Sequence, residues 1–143
     1  MGAQYLYSLD NTQPMTVKIV TNAAVVEGAI LAITSGLVGP LANGDDAIIG
    51  LAMGDAARGA ECSVLLLNPR SVIRVPFTGS IKKFFADADR FGTLFDWDAT
   101  AKDLDPDDTT GGVFAIVQYN NVDKTAGTGY ADVCITSAKL WTA

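Results

Sequence analysis

Residues 27–33 have the sequence EGAILAI, a glycine followed by a short apolar run, and residues 91–97 have the related sequence FGTLFDW. Two further apolar runs follow each of these segments in the same order. They are residues 47–52 (AIIGLA) and 62–67 (CSVLLL) after the first segment, and residues 112–117 (GVFAIV) and 131–136 (ADVCIT) after the second. The succession predicts two related β-meander halves, residues 17–76 and 80–137.

The apolar runs are short and are separated by Gly, Asn, Asp and Pro, which is typical of an all-β domain. Residues 47–53 are apolar at both parities, so we expect that strand to be covered on both faces. Eight strands indicate a small β-barrel or β-sandwich. They are predicted at residues 16–20, 29–33, 47–53, 62–67, 71–75, 93–97, 113–119 and 131–136.

Two segments do not follow this pattern. Phe84, Ala88, Phe91 and Phe95 recur at helical spacing, although the repeat argues against a helix beyond about Ala88. Residues 1–15 contain Pro14 and lie before the first predicted strand, so we predict an extended N-terminal arm that something outside the domain must hold. Residues 16–143 are then a single β domain.

The composition excludes several function classes. The chain of 143 residues has no histidine, which removes His-based catalytic triads and His-bearing zinc sites. Ten Lys and Arg residues against 16 Asp and Glu residues give a net charge of −6, so nucleic acid is not an expected partner. Only 18% of residues are charged while 49% are hydrophobic, which indicates that part of the surface is covered by other molecules.

The N-terminus lacks the basic and apolar regions of a secretory signal, and no apolar run is long enough to span a membrane. We therefore expect a soluble product of the cytoplasm.

Cys62 and Cys134 are expected to be buried thiols, with a disulfide as the alternative. No metal or cofactor site is predicted. The acidic segment at residues 96–108 fails the calcium-loop template in both registers, and it fits a solvated turn better.

For the other candidate sites, a structural role explains the residues better than a functional one. Residues 127–129 (GTG) begin like a dinucleotide-binding motif but do not join a strand to a helix. The carboxylate pair of Asp87 and Asp89 has no readable catalytic geometry. Aromatic side chains are candidates for stacking platforms, although packing in the core or at an interface is their commoner role. They are Tyr5, Tyr7, Trp97, Tyr119, Tyr130 and Trp141.

The combined pattern resembles the capsid decoration, or cement, proteins of tailed bacteriophages over about residues 17 to 137. The segments that carry the resemblance are residues 27–31 (EGAIL), 49–52 (IGLA), 56–59 (AARG), 64–67 (VLLL) and 92–99 (GTLFDWDA). The resemblance implies a small β-barrel or tulip-like β-fold without enzymatic activity. It also implies binding to the major capsid protein on the outer surface of the virion, commonly as a homotrimer.

We therefore expect a structural virion protein that cements neighbouring capsid subunits. Tyr5, Leu6 and Tyr7 in the arm are the expected contacts with the capsid or with other subunits. Deletion of residues 1–12 should then abolish capsid binding and leave the domain folded. A ligand-binding or carbohydrate-binding β-barrel that uses Trp97 or Tyr130 is the alternative. An enzyme that uses Asp carboxylates or a cysteine is the remaining one.

Overall fold

The computed structural model describes residues 2–42, 47–78, 94–100, 102–105, 108–109, 112–123 and 127–141. In these ranges the chain is all-β, and the predicted small barrel or sandwich is confirmed. The strands are β1 (Gln4–Ser8), β2 (Thr16–Val20), β3 (Ile30–Thr34), β4 (Leu37–Pro40), β5 (Ile48–Ala52), β6 (Glu61–Leu66), β7 (Ser71–Thr78), β8 (Leu94–Asp98), β9 (Asp103–Asp105), β10 (Phe114–Asp123) and β11 (Thr128–Ile135).

All eight predicted strands are present to within a few residues, and β1, β4 and β9 are additional. Of the proposed helical stripe, Phe95 lies in β8, and the other three residues fall outside the described ranges. The described helical structure is a 3₁₀ turn at Ser137–Lys139. No helix in the described part of the chain has the length and apolar character needed to cross a membrane.

The two halves have the same strand order. The first sheet runs β2-β6-β5-β3-β4, and the second runs β7-β11-β10-β8-β9 with β1 added beside β7. In each half the first and third strands also meet in parallel, at Thr21 and Val38 in the first half and at Phe77 and Leu104 in the second. The pairing of β7 with β9 closes the second half into a small barrel. In the first half the bridge between Thr21 and Val38 lies just beyond the end of β2, and no strand pairs with that edge of β2 itself in the described part of the chain.

The pairing registers agree between the halves. Leu31 lies opposite Gly50 and Ile33 opposite Val38 in the first half. Phe95 lies opposite Phe114 and Trp97 opposite Leu104 at the corresponding places in the second half. The repeat pattern matched β3, β5 and β6 to β8, β10 and β11. The strands β3, β5 and β6 lie side by side and antiparallel, as in a meander.

The boundary between the halves differs from the prediction. Residues 71–75 were expected to close the first half, whereas β7 pairs with β1, β11 and β9 and opens the second half. The strand pattern alone does not show this, because a run of alternating side chains fits the edge of either sheet. The junction is therefore the short connection at residues 67–70, which we call the linker.

Among the described residues the buried apolar side chains form two clusters. One fills the first half and contains residues such as Leu31, Val38 and Val64. The larger one joins both sheets and includes Ile48 and Leu51 of β5. All five residues of β5 are buried, as predicted for a strand covered on both faces.

Glycine and turn chemistry set the local geometry at two places. Ser35 and Gly36 both have positive φ, at 51° and 80°, which is the backbone of a tight two-residue hairpin between β3 and β4. The chain therefore reverses at Ser35-Gly36. At Gly50 a Cβ atom would collide with the backbone carbonyl of Leu65 on the neighbouring strand, so glycine permits the close approach of β5 to β6.

The N-terminal segment does not need another molecule to hold it. Residues 4–8 form β1, which pairs antiparallel with β7, and the amide of Ala3 donates to the carbonyl of Gly28 at 2.8 Å. This strand was not predicted, because a short edge strand has little periodicity of its own. Since removal of residues 1–12 would strip a strand from the six-stranded sheet, we now expect that deletion to destabilise the domain.

Candidate interaction surface

A β-bulge decides the directions of the three predicted interface residues. The register of β1 against β7 shifts between Tyr5 and Tyr7, so that Tyr5 lies opposite Ile73 and Tyr7 opposite Val72. Tyr5 packs against the larger core, and its hydroxyl lies 2.8 Å from the Ser8 hydroxyl. Leu6 is half-buried, whereas the side chain of Tyr7 is exposed. The three residues therefore lie on one strand, and Tyr7 is the one that presents its side chain to solvent.

Backbone hydrogen bonds place three more exposed apolar residues near the linker. Leu9 donates its amide to Arg70, the carbonyl of Met15 accepts from Leu66, and Trp141 donates to Ile48 at the start of β5. Ile49, next in β5, accepts a hydrogen bond from Leu67 at the start of the linker. We call this surface the apolar end. Its residues and their exposed fractions are Tyr7 (45%), Leu9 (49%), Met15 (65%) and Trp141 (43%).

Local hydrogen bonds order the loops of the apolar end. The Asp10 carboxylate accepts the amide of Thr12 at 3.0 Å, and the Asn68 side chain accepts the amide of Arg70 at 2.8 Å. The contacts from Thr12, supported by the positive charge of Arg70, lower the pKa of Asp10. These hydrogen bonds order the chain beside Leu9 and in the linker, which reduces the entropy that these segments lose on binding.

A buried charge lies across three strands of the second half. Asp132 on β11 is fully buried and accepts hydrogen bonds from Arg74 Nε at 2.8 Å and from Gln118 Nε2 at 2.9 Å. Arg74 Nη2 donates to the other carboxylate oxygen at 3.3 Å. These contacts raise the pKa of the Arg74 guanidinium, because hydrogen bonds to a carboxylate favour the charged form. The cluster fastens β7, β10 and β11 together.

Two open grooves run between the sheets near the N-terminus. One, of about 500 Å³, is lined mostly by apolar residues together with Gln4, Glu27, Arg74 and Tyr130. The other, of about 480 Å³, passes Gly28, Pro40 and the edge of Trp97. Trp97 is only 6% exposed and packs against Phe114 with ring centroids 5.7 Å apart, so it belongs to the core and does not offer a stacking face. Tyr130 is half-buried in its groove.

The acidic segment places like charges opposite each other. Asp96 on β8 faces Asp105 on β9, and Asp98 faces Asp103. Burial raises the pKa of Asp96, and the neighbouring carboxylates of Asp108 and Asp105 add to this effect against an opposing hydrogen bond from the Trp97 amide. Among the described residues no three Asp, Glu or Cys side chains are grouped so as to hold a metal ion.

The remaining candidates have structural positions. Cys62 and Cys134 are both buried free thiols, as expected, and burial raises the pKa of each. A raised thiol pKa disfavours the nucleophilic thiolate. Gly127 precedes β11, so the glycine-rich segment leads into a strand and lacks the helix that a dinucleotide-binding motif needs. Asp87 and Asp89 lie outside the described residues.

Sequence reasoning missed Leu9, Met15 and Trp141, because their exposure depends on how the termini are anchored beside the linker. It also missed the buried Asp132. A charged residue in the apolar run at 131–136 was the available signal, since a charge inside a buried strand requires a partner.

Comparison of the chain with protein-family models and with curated proteins finds no match.

Proposed function

We propose that this chain is a structural virion protein that binds the outer surface of a phage capsid and cements neighbouring capsid subunits. Its partner is the major capsid protein, and it acts as a homotrimer without catalytic activity. The observation that carries the proposal is the apolar end, where Tyr7, Leu9, Met15 and Trp141 expose large apolar side chains around one linker.

Clustered exposed apolar side chains favour a protein partner. Single exposed hydrophobic residues are ordinary on soluble proteins, whereas groups of them mark interaction sites. The group here includes two aromatic side chains, which are enriched at protein interfaces. None of these four residues lines either of the two open grooves, so the apolar end suits an extended protein surface better than a small ligand.

Binding of this kind stabilises a lattice by mass action. A protein that binds the assembled shell and not the separated subunits shifts the equilibrium toward the shell. Many copies act in parallel, so a modest affinity at each position is sufficient. The ordered turns at Asp10 and Asn68 support this function, because they order the chain beside Leu9 and in the linker before contact.

The carbohydrate-binding alternative has less support. It required Trp97 or Tyr130 as a stacking platform, and Trp97 packs in the core. Tyr130 lines a groove whose charged residues are Glu27 and Arg74, and Arg74 already pairs with Asp132.

The experiment is cosedimentation with empty shells assembled from the major capsid protein that the same genome encodes. The test variant is Met15→Ser, at the apolar end. The matched control is Val26→Ser, whose side chain is 57% exposed against 65% for Met15. Val26 lies at the opposite end of the first half, two residues before Gly28, whose amide donates to the carbonyl of Ala52 at the far end of β5.

We expect wild type and Val26→Ser to coat the shells at similar affinity and Met15→Ser to bind about tenfold more weakly, which corresponds to loss of one buried apolar contact. Circular dichroism spectra that match wild type confirm that both variants are folded. Absence of wild-type binding, or equal binding of the two variants, would count against the proposal.

A further inference from the structure

The two halves differ at the outer edge of their first strands, β2 and β7. In the second half β11 covers one edge of β7, while β1 and β9 share the other. In the first half β6 covers one edge of β2, and β4 reaches the other edge only at Thr21. Along β2 itself that second edge has no strand partner within the described part of the chain.

The orientation of the backbone on β2 follows from its flanking bonds. The Met15 carbonyl accepts from Leu66 and the Thr21 amide donates to Ala60, so odd-numbered residues face β6. The next amide, that of Asn22, donates outward to Val38 on β4. Thr16, Lys18 and Val20 therefore direct their amide and carbonyl groups toward the open edge.

The second half shows what fits such an edge. The register of the two parallel contacts makes Lys18 the counterpart of Arg74 and Thr16 the counterpart of Val72. On β7 these positions are paired with the antiparallel strand β1, and Gln4, which is uncharged, lies opposite Arg74. The edges of β2 and β7 are thus equivalent, and β1 covers the edge of β7.

We propose that the open edge of β2 binds an extended segment of a different polypeptide as an added antiparallel strand. Strand addition of this kind gains affinity from main-chain hydrogen bonds. The segment carries apolar side chains and a neutral or acidic residue opposite Lys18. A second copy of this chain that pairs through its own β2 is a poor occupant in the register centred on Lys18, because that antiparallel pairing brings two Lys18 side chains together. The inference does not depend on the capsid proposal.

The probe is a capped synthetic peptide with the sequence of residues 2–9, which already pairs with the equivalent edge of β7. The readout is amide hydrogen exchange measured by NMR on the full chain, with and without the peptide. We expect the amides of Thr16 and Lys18 to exchange more slowly when the peptide is present.

A pair of proline variants tests the edge directly. Lys18→Pro removes an outward amide inside the footprint of the added strand, and proline is tolerated at strand edges whose amide faces solvent. Val20→Pro makes the same change outside the footprint. The chain already has Pro76 at the counterpart of Val20 on β7. Peptide binding should weaken at least about tenfold in Lys18→Pro and stay within about twofold of wild type in Val20→Pro.

Protection confined to β7, no protection at all, or equal binding by the two proline variants would overturn the inference. Concentration-dependent protection of Thr16 and Lys18 without peptide would also overturn it, because it would show that a second copy occupies the edge. If Lys18→Pro proves unfolded by circular dichroism, the exchange map of the wild-type chain decides alone. These results leave the cosedimentation experiment unaffected, so the two proposals can fail separately.

Discussion

Replacement of Asp132 by Ala should be among the most destabilising single changes in the second half. The carboxylate is fully buried and accepts from Arg74 and Gln118 at 2.8, 2.9 and 3.3 Å. Breaking a buried ion pair by removing one partner costs about 3 to 5 kcal/mol. Since the Arg74 side chain is 35% exposed and regains water when the carboxylate is lost, we expect about 3 kcal/mol.

The assay is urea unfolding followed by tryptophan fluorescence and circular dichroism. Thermal unfolding should show a decrease in Tm of about 6 to 12 °C, from about 2 to 4 °C per kcal/mol for a chain of this size. The matched control is Ser63→Ala. Ser63 lies opposite Lys18 on β2, as Asp132 lies opposite Arg74 on β7, and we expect this variant to lose less than about 1 kcal/mol of stability. An Asp132→Ala variant within 1 kcal/mol of wild type would refute the argument that this charge fastens three strands.

Three further predictions concern packing and ionisation. Gly50→Ala should cost at least about 3 kcal/mol in urea unfolding, because its Cβ collides with backbone, whereas Gly54→Ala, which meets open space, should be close to neutral. The folded-state pKa of Asp96 is raised, so its stabilising contribution is present below the unfolded pKa and is lost as pH rises through the folded pKa. Asp96→Asn should therefore be more stable than wild type at pH 7 and lose this advantage near pH 3, and no pH dependence of the difference would contradict the assignment. Cys62 and Cys134 should react with an aromatic disulfide reagent only as fast as the chain opens, and rapid labelling of the native protein would contradict their burial.

The sequence predicted the strands that are held by their own apolar pattern. β5 is an example, because four of its five residues are apolar and every one is buried. The pattern also revealed the repeat, since corresponding positions such as Leu31 and Phe95 are fully buried in both halves. These features are local in sequence, so they do not depend on knowing which strands pair.

The short strands could not be predicted in the same way. β4 contains Gly39 and Pro40, which disfavour strands, and β9 has three residues, so tertiary pairing decides their conformation. The same is true of the bulge that turns Tyr5 inward and Tyr7 outward. The apolar end depends on where both termini are anchored. A single apolar residue in a loop sequence does not show where the termini lie.

The most direct test of the assembly role is hydrogen–deuterium exchange on the chain alone and on the chain bound to empty shells. Binding should slow exchange in peptides covering residues 5–16 and residue 141, and leave residues 23–28 unchanged. Protection centred on residues 23–28, or no change anywhere on shells that carry the protein, would contradict the account.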